Sequence, residues 1–398
     1  MSAMRDTGTL LVCMACSALV APACRAQSQT AGVPPQAYAL YQQALHAQAQ
    51  SQLSQAIALY KQALAIDPDY SEALTSLGDA LILQGHTDEA TVDLARAANL
   101  NPTNFLAQLN LGYVLLHARQ MDQALAAYQR AVALKPDSAE AQNGLGVVLF
   151  ILGRQQEATV AYQKALSLAE DDPDVLNNLA GALVLEGQYD EAITMYEHAL
   201  AAKPDASDIR SGYANALQHA NRNDEAIAAY RQVVAASPKD TSSWLQLAHL
   251  EYTQTQFDDA IISFQKTLAL DPNQPDAHLG LGMAYAGKKQ YADAITQYQA
   301  ALALNPGDTT ALAYVGQAQM NEGAYEDAEV TFKKLVTLVP DDAGSRFNLG
   351  TVLFDQGRYS EAADDFREAI RLNPNFVQAH YNLAVCLTYM AQYQAAAV

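Results

Sequence analysis

Basic residues are scarce. The chain of 398 residues has 23 Lys and Arg against 43 Asp and Glu, a net charge of −20 and a pI near 4.6. Nucleic acid needs a basic face for its phosphates, so this balance excludes it as a partner and favours neutral or basic ones. Cysteine is scarcer still: Cys13, Cys16 and Cys24 lie near the start and Cys386 near the end. That excludes a disulfide framework. Cys13-Met14-Ala15-Cys16 has a redox-like spacing, but it sits in an apolar run with no strand and helix around it. The eight histidines include no H-x3-H pair, so no metal site is expected. No segment alternates as a strand would. No apolar run reaches the ~20 residues of a spanning helix. Gly282-x4-Gly287-Lys288-Lys289 approaches a phosphate-binding loop, but it ends on Lys289 rather than Ser or Thr and no strand precedes it. The pairs Asp258-Asp259 and Asp364-Asp365 read as solvated charge. With no nucleophile, base and orienting group in sight, the chain is expected to be non-catalytic and to need no cofactor.

What the chain does have is a period. Pro34, Pro68, Pro102, Pro136, Pro204, Pro238, Pro272, Pro306, Pro340 and Pro374 stand on a 34-residue spacing, broken only where Glu170 fills the rung. A fixed period of this size means stacked supersecondary units, none of which can bury its own apolar face. Repeats counted so that the proline is position 32 start at residues 37, 71, 105, 139, 173, 207, 241, 275, 309 and 343, with a partial eleventh from 377.

Three positions recur in phase. Position 8 is Gly or Ala in every repeat, from Ala44 and Gly78 to Gly350 and Ala384. Position 20 is always Ala, from Ala56 to Ala396, and position 24 is aromatic except at Leu94. Small residues twelve apart, one per helix, let two antiparallel helices approach closely, with the ring filling the space beside the contact. Each repeat therefore reads as helix A over about positions 2–14, such as Glu72–Gln84, and helix B over about 18–31, such as Asp88–Asn101. Glycine near position 15 suits the turn between them. The proline ends helix B. Asp172-Pro173 caps the next helix A, and Pro275 takes the same first-turn place.

The pattern Trp244-x2-Leu247-Ala248-x2-Glu251, then Ala260, Phe264 and Pro272, resembles the tetratricopeptide repeat, as does Leu176-x2-Leu179-Ala180 with Gly187, Ala192, Tyr196, Ala199 and Pro204. The resemblance covers residues 37–398. It implies an all-α, right-handed α-solenoid of about eleven helix-turn-helix repeats that binds protein or peptide. Gln43 stands where Leu is usual, so the first repeat is expected to be divergent. The helix A faces of such an array line its inner groove, chiefly through positions 2, 5, 6, 9, 12 and 13. Here those positions hold no Lys or Arg in any repeat. The candidates for a peptide groove are Asn110, Tyr113, His117, Asn143, Phe150, Asn177, Asn178, Leu245, His249, Tyr252, Phe347, Asn348, Phe354 and Asn382. Position 2 is often acidic, as at Glu72, Glu140, Asp174, Asp208 and Asp276.

Two modes within the resembled family separate at this point. Members that hold a carboxylate use groove cations, which are missing here. The arm of O-GlcNAc transferase-like proteins carries an asparagine ladder at position 6. In this chain that ladder stands only at Asn110, Asn178, Asn348 and Asn382, and Gly144, Gly212, Gly280 and Tyr314 interrupt it. The reading that follows is a protein-interaction scaffold, with the substrate-recruiting arm of a glycosyltransferase system as the alternative.

The first 26 residues stand outside the period. Arg5, the apolar run Thr9–Val20 and Ala21-Pro22-Ala23 read as a secretory signal, with Cys24 a candidate lipidation site, and residues 27–36 as a flexible linker. The expected location is the periplasm or the outer membrane, with no spanning segment in the mature chain. The eleventh repeat reads to position 22 at Val398, where its helix B has barely begun. Its apolar helix A, with Leu387 and Tyr389, implies an end that is either truncated or covered by a partner, such as a second copy.

Overall fold

A computed structural model describes residues 32–396, and every regular element among them is an α-helix. The signal, Cys24 and the first half of the linker lie outside the described residues. The helices form two compact blocks that meet in sequence between Asn221 and Arg222. The first holds the hairpins Pro35–Ala49/Leu53–Ile66, Ser71–Leu83/Thr87–Leu100, Phe105–His117/Met121–Leu134, Ala139–Ile151/Gln155–Leu168 and Pro173–Leu185/Tyr189–Ala202, then Ser207–His219. The second opens with Asn223–Ala236. It continues through Thr241–Thr253/Phe257–Leu270, Pro275–Gly287/Tyr291–Leu304, Thr309–Glu322/Tyr325–Leu338 and Ala343–Asp355/Tyr359–Leu372, and ends with Val377–Ala396. The chain thus has the all-α, helical-repeat fold of the solenoid class.

Each helix runs about one residue earlier than the periodicity suggests, because the cap sits at position 34. There Asn104, Ser138, Asp172, Asp240, Asp308 and Asp342 accept hydrogen bonds from backbone N–H groups of the first turn. Two ends depart further. The first helix starts at Pro35, inside the expected linker, since proline is pre-set for a first helical turn. The last runs without a turn through Ala391, where the other repeats bend. Alanine and glutamine favour that continuation.

Position 15 is left-handed in all ten complete repeats, with φ between 57° and 85°. Glycine takes it at Gly85, Gly153, Gly187, Gly323 and Gly357, but Ser51, Arg119, Asn221, Thr255 and Lys289 take it elsewhere. The next residue's N–H then bonds back to the carbonyl of position 11, as from His86 to Leu81 at 2.9 Å, which closes the helix end.

The ring at position 24 lies on position 8 of its own repeat. A Cβ built on Gly146 would stand 2.6 Å from the Tyr162 ring, and one on Gly316 2.6 Å from Phe332. Position 6 meets the ring of the repeat before it: Gly144 against Tyr128 at 2.3 Å, Gly212 against Tyr196 at 2.6 Å, Gly280 against Phe264 at 2.3 Å. Those three interruptions of the asparagine ladder are packing sites. Side chains at position 4 tie successive repeats through the proline carbonyl. Gln142 donates to Pro136 O at 3.2 Å, Trp244 Nε1 to Pro238 O at 3.1 Å, and His380 Nε2 lies 2.9 Å from Pro374 O.

One charged pair is less solvated than its sequence suggests. The Asp365 side chain is 15% exposed and pairs with Arg346 at 3.1 Å, because position 23 faces the neighbouring helix A. Burial pushes its carboxyl above the usual range.

Candidate functional site

In the first block, the helix A segments Phe105–His117, Ala139–Ile151 and Pro173–Leu185 carry the candidates. Tyr113 and His117, one turn apart, pack ring to ring at 4.2 Å, and His117 Nδ1 lies 2.9 Å from the Tyr113 carbonyl. Asn110, Phe150 and Asn177 are half-buried. Asn143 and Asn178 are both buried, and the Asn178 amide donates to Asn143 Oδ1 at 3.0 Å. The asparagines at these two positions therefore satisfy each other across neighbouring repeats.

Acidic groups also gather on this block. Asp79 accepts from Gln48 at 2.7 Å, and burial raises its carboxyl above the ordinary range. Glu140 is raised by burial first and by the charge of Asp79 second. Asp174 is paired with Lys203 at 2.7 Å.

In the second block, Leu245, His249 and Tyr252 lie on the helix Thr241–Thr253 at spacings of four and three, which puts them on one face. His249 meets Phe264 edge-on at 5.1 Å. Burial lowers its pKa, against the opposing charge of Asp276. Tyr252 forms one wall of a cleft of about 170 Å³. The other walls are Met283, Tyr298, Tyr314, Gln317 and Asn321, with Gly287 among the lining residues. Three consecutive helix A segments build it, with Tyr298 contributed by the helix B Tyr291–Leu304. Tyr314 is 37% exposed and stacks on the buried Tyr298 at 5.5 Å and 23°. Two of the hydroxyls resist ionisation: Tyr252 is raised by burial first and then by Tyr314, and Tyr298 by burial first and then by Tyr252 and Tyr314. The absence of a Cβ at Gly287 lets the Phe257 ring approach, since a Cβ there would stand 2.7 Å from it.

Sequence reasoning found Tyr252 but not the rest of the cleft. Tyr314 occupies a ladder position and Tyr298 the position-24 ring, so both carry other readings in a single repeat. The run of positions 9, 12 and 13 in adjacent repeats, which holds Tyr252, Met283, Gly287, Gln317 and Asn321, is a signal that could have found the rest of the lining but not these two rings. Further along, Phe347 touches Phe366 and Phe376, with ring centroids 5.6 and 4.9 Å away. Phe354 meets Tyr359 and Tyr389. Asn348 and Asn382 are half-buried.

The described residues hold no group of three or more His, Cys, Asp or Glu side chains able to bind a metal. No described helix is long and apolar enough to cross a membrane.

Four family models of the tetratricopeptide class match the chain. Two described as tetratricopeptide repeat match residues 47–92 and 183–250, and residues 84–139 and 109–174. One described as TPR repeat matches 350–387. One described as the TPR domain of cytochrome c-type biogenesis protein H matches 226–346. Among solved structures, the C-terminal part of a TPR repeat-containing protein from Cytophaga hutchinsonii is 19% identical. It covers 60% of this chain and 98% of its own, with a TM-score of 0.53. MamA is 27% identical over 40% of this chain and 94% of its own, with a TM-score of 0.38. Yeast Tom70 is 14% identical over 90% of this chain and 96% of its own, with a TM-score of 0.37. No curated protein matches the chain.

Proposed function

We propose that this chain, which is a tetratricopeptide-repeat protein, is a non-catalytic scaffold that holds an extended segment of a neutral or basic partner on its helix A faces. One observation carries the reading: the inner positions of every repeat lack Lys and Arg while presenting rings, amides and carboxylates. Such a lining offers stacking surfaces and hydrogen-bond acceptors and repels acidic chains. The test is affinity capture of partners by the native chain and by a Tyr113→Ala/Phe354→Ala variant. Partners retained equally by both would overturn binding through these faces.

The same reading places the protein in the cell envelope. The apolar run before Ala21-Pro22-Ala23 supports export, and so does the match of residues 226–346 to a cytochrome c-type biogenesis domain. Intact-mass measurement on protein from the native host decides it. A chain beginning near Cys24 or Gln27 is expected, with a diacyl addition if Cys24 is lipidated. A full-length cytosolic species would refute export.

Self-association belongs to this reading as well. The final helix leaves Val377 73% and Tyr381 69% exposed, on one face at a spacing of four. Tyr389 is engaged with Tyr359 at 5.1 Å, so Val377→Glu/Tyr381→Glu is the cleaner disruption. Concentration-dependent dimers in sedimentation that this pair abolishes are expected. A monomer at high micromolar concentration would sink the idea.

A further inference from the structure

We propose that the tyrosine cleft of the second block is an anchor pocket for one cationic side chain, Arg or Lys, of the partner polypeptide. This deepens the scaffold reading and rests on it. A cation within about 6 Å of a tyrosine ring face is held by the ring quadrupole, more strongly as water is excluded. The cleft supplies such faces. Tyr314 presents an exposed ring backed by Tyr298, and Tyr252 faces the same cleft from the helix A two repeats earlier. Its volume of about 170 Å³ suits one long side chain rather than a folded element. Gln317 and Asn321 add amide oxygens that can accept from an ammonium or guanidinium.

The charge around the cleft points the same way. None of its lining residues is cationic. His249, one turn before Tyr252, is held neutral by burial at pH 7, and Asp276 at the start of the next helix A is exposed and acidic. The nearest lysines in sequence follow Gly287 at the hairpin turn. Of these, Lys288 is bound to Asp258 on the preceding helix B, and Lys289 is exposed in the left-handed turn. An apolar anchor would use the same walls, but it would gain nothing from this surrounding charge. An acidic one would be repelled by a chain of net charge −20.

The experiment pans a random peptide library displayed on phage against the full chain, then measures selected peptides by fluorescence anisotropy. Selected sequences should align on one Arg or Lys. Replacing that residue by citrulline or norleucine, which keep length without charge, should weaken binding roughly fivefold or more. Tyr252→Leu/Tyr314→Leu should remove the preference, whereas Tyr252→Phe/Tyr314→Phe should keep it, since ring faces and not hydroxyls hold the cation. Selected peptides that carry no aligned basic residue, or bind equally with citrulline, would overturn the anchor and leave the scaffold intact. Equal losses in the Leu and Phe variants would also overturn it. A library that yields no peptide at all would overturn both the anchor and the peptide-binding reading beneath it.

Discussion

The repeat that starts at Ala139 and the one that starts at Thr241 fill a single frame with opposite chemistry. In the first, position 11 is Leu149 and position 9 is Val147, both buried, and the hairpin turns on Gly153 at φ 75°. In the second, those places hold Glu251, His249 and Thr255, the last at φ 58°. Glu251 is 1% exposed, so its charge must be met inside. Arg231 reaches it at 2.7 Å and Ser263 donates to its other oxygen at 2.7 Å. The frame therefore dictates helix spacing and turn direction but not the nature of each contact. The departures also cluster. Position 11 is polar or aromatic at Glu251, Tyr285 and Gln319, where the other repeats hold Leu or Ala. These are the repeats that build the tyrosine cleft. Local rules give way most often where a protein does something besides fold.

The largest expected effect removes the half-exposed partner of the buried Glu251. Arg231→Met leaves a carboxylate with little more than Ser263 to meet it, which should cost about 3–5 kcal/mol. Importing the Ala139 chemistry with Arg231→Met/Glu251→Leu/Ser263→Ala should recover most of the loss. Hydrogen exchange read by mass spectrometry should place the damage around Thr241–Leu270, since neighbouring repeats contribute separately. A loss under about 1 kcal/mol for Arg231→Met would show that the pair is dispensable.

Next comes the seam of the apolar repeat. Gly144→Ala drives a Cβ toward the Tyr128 ring, 2.3 Å away with nothing moved. Overpacking of this kind costs about 1–3 kcal/mol. Urea denaturation should show the loss, and Gly144→Ala with Tyr128→Leu should recover part of it. No loss from the single change would mean that position 6 is roomier than the ring contact implies.

Exchanging the turns sharpens the comparison further. Thr255→Gly relieves a β-branched residue in the left-handed region and should stabilise by about 1 kcal/mol, while Gly153→Thr should cost a similar amount. Thermal melts of the two variants should move in opposite directions. If Thr255→Gly is neutral, the threonine's own contacts offset its backbone strain.

This pair of turns also shows what the sequence could reveal. The proline spacing made the helices, the hairpins and the position-8 and position-24 contacts readable, because a packing rule repeated ten times leaves a periodic mark. Glycine advertised five left-handed turns by its permissiveness. Ser51, Arg119, Asn221, Thr255 and Lys289 obey the same geometry through the surrounding frame and leave no local sign. The Asn143–Asn178 pair and the tyrosine cleft were illegible for another reason. Their members sit at different repeat positions, so only the stacking of repeats brings them together.

The smallest expected effect is a difference in acid response. His249 takes the place of Val147, and burial lowers its pKa below the ordinary value of 6.5 despite Asp276. The unfolded chain therefore binds a proton more readily than the folded one. The stability tied to the neutral ring is complete above the unfolded value and falls as pH drops through it. No such term exists at Val147. Hydrogen exchange compared at pH 7.5 and 5.5, corrected for intrinsic rates, should show Thr241–Thr253 losing more protection than Ala139–Ile151. His249→Val should remove most of that difference, because it brings the apolar repeat's own residue into the same frame. Carboxylates elsewhere titrate too, so the variant is the deciding control. If His249→Val leaves the acid response of Thr241–Thr253 unchanged, the sensitivity comes from other groups, and the imidazole is as indifferent to pH as the valine it replaces.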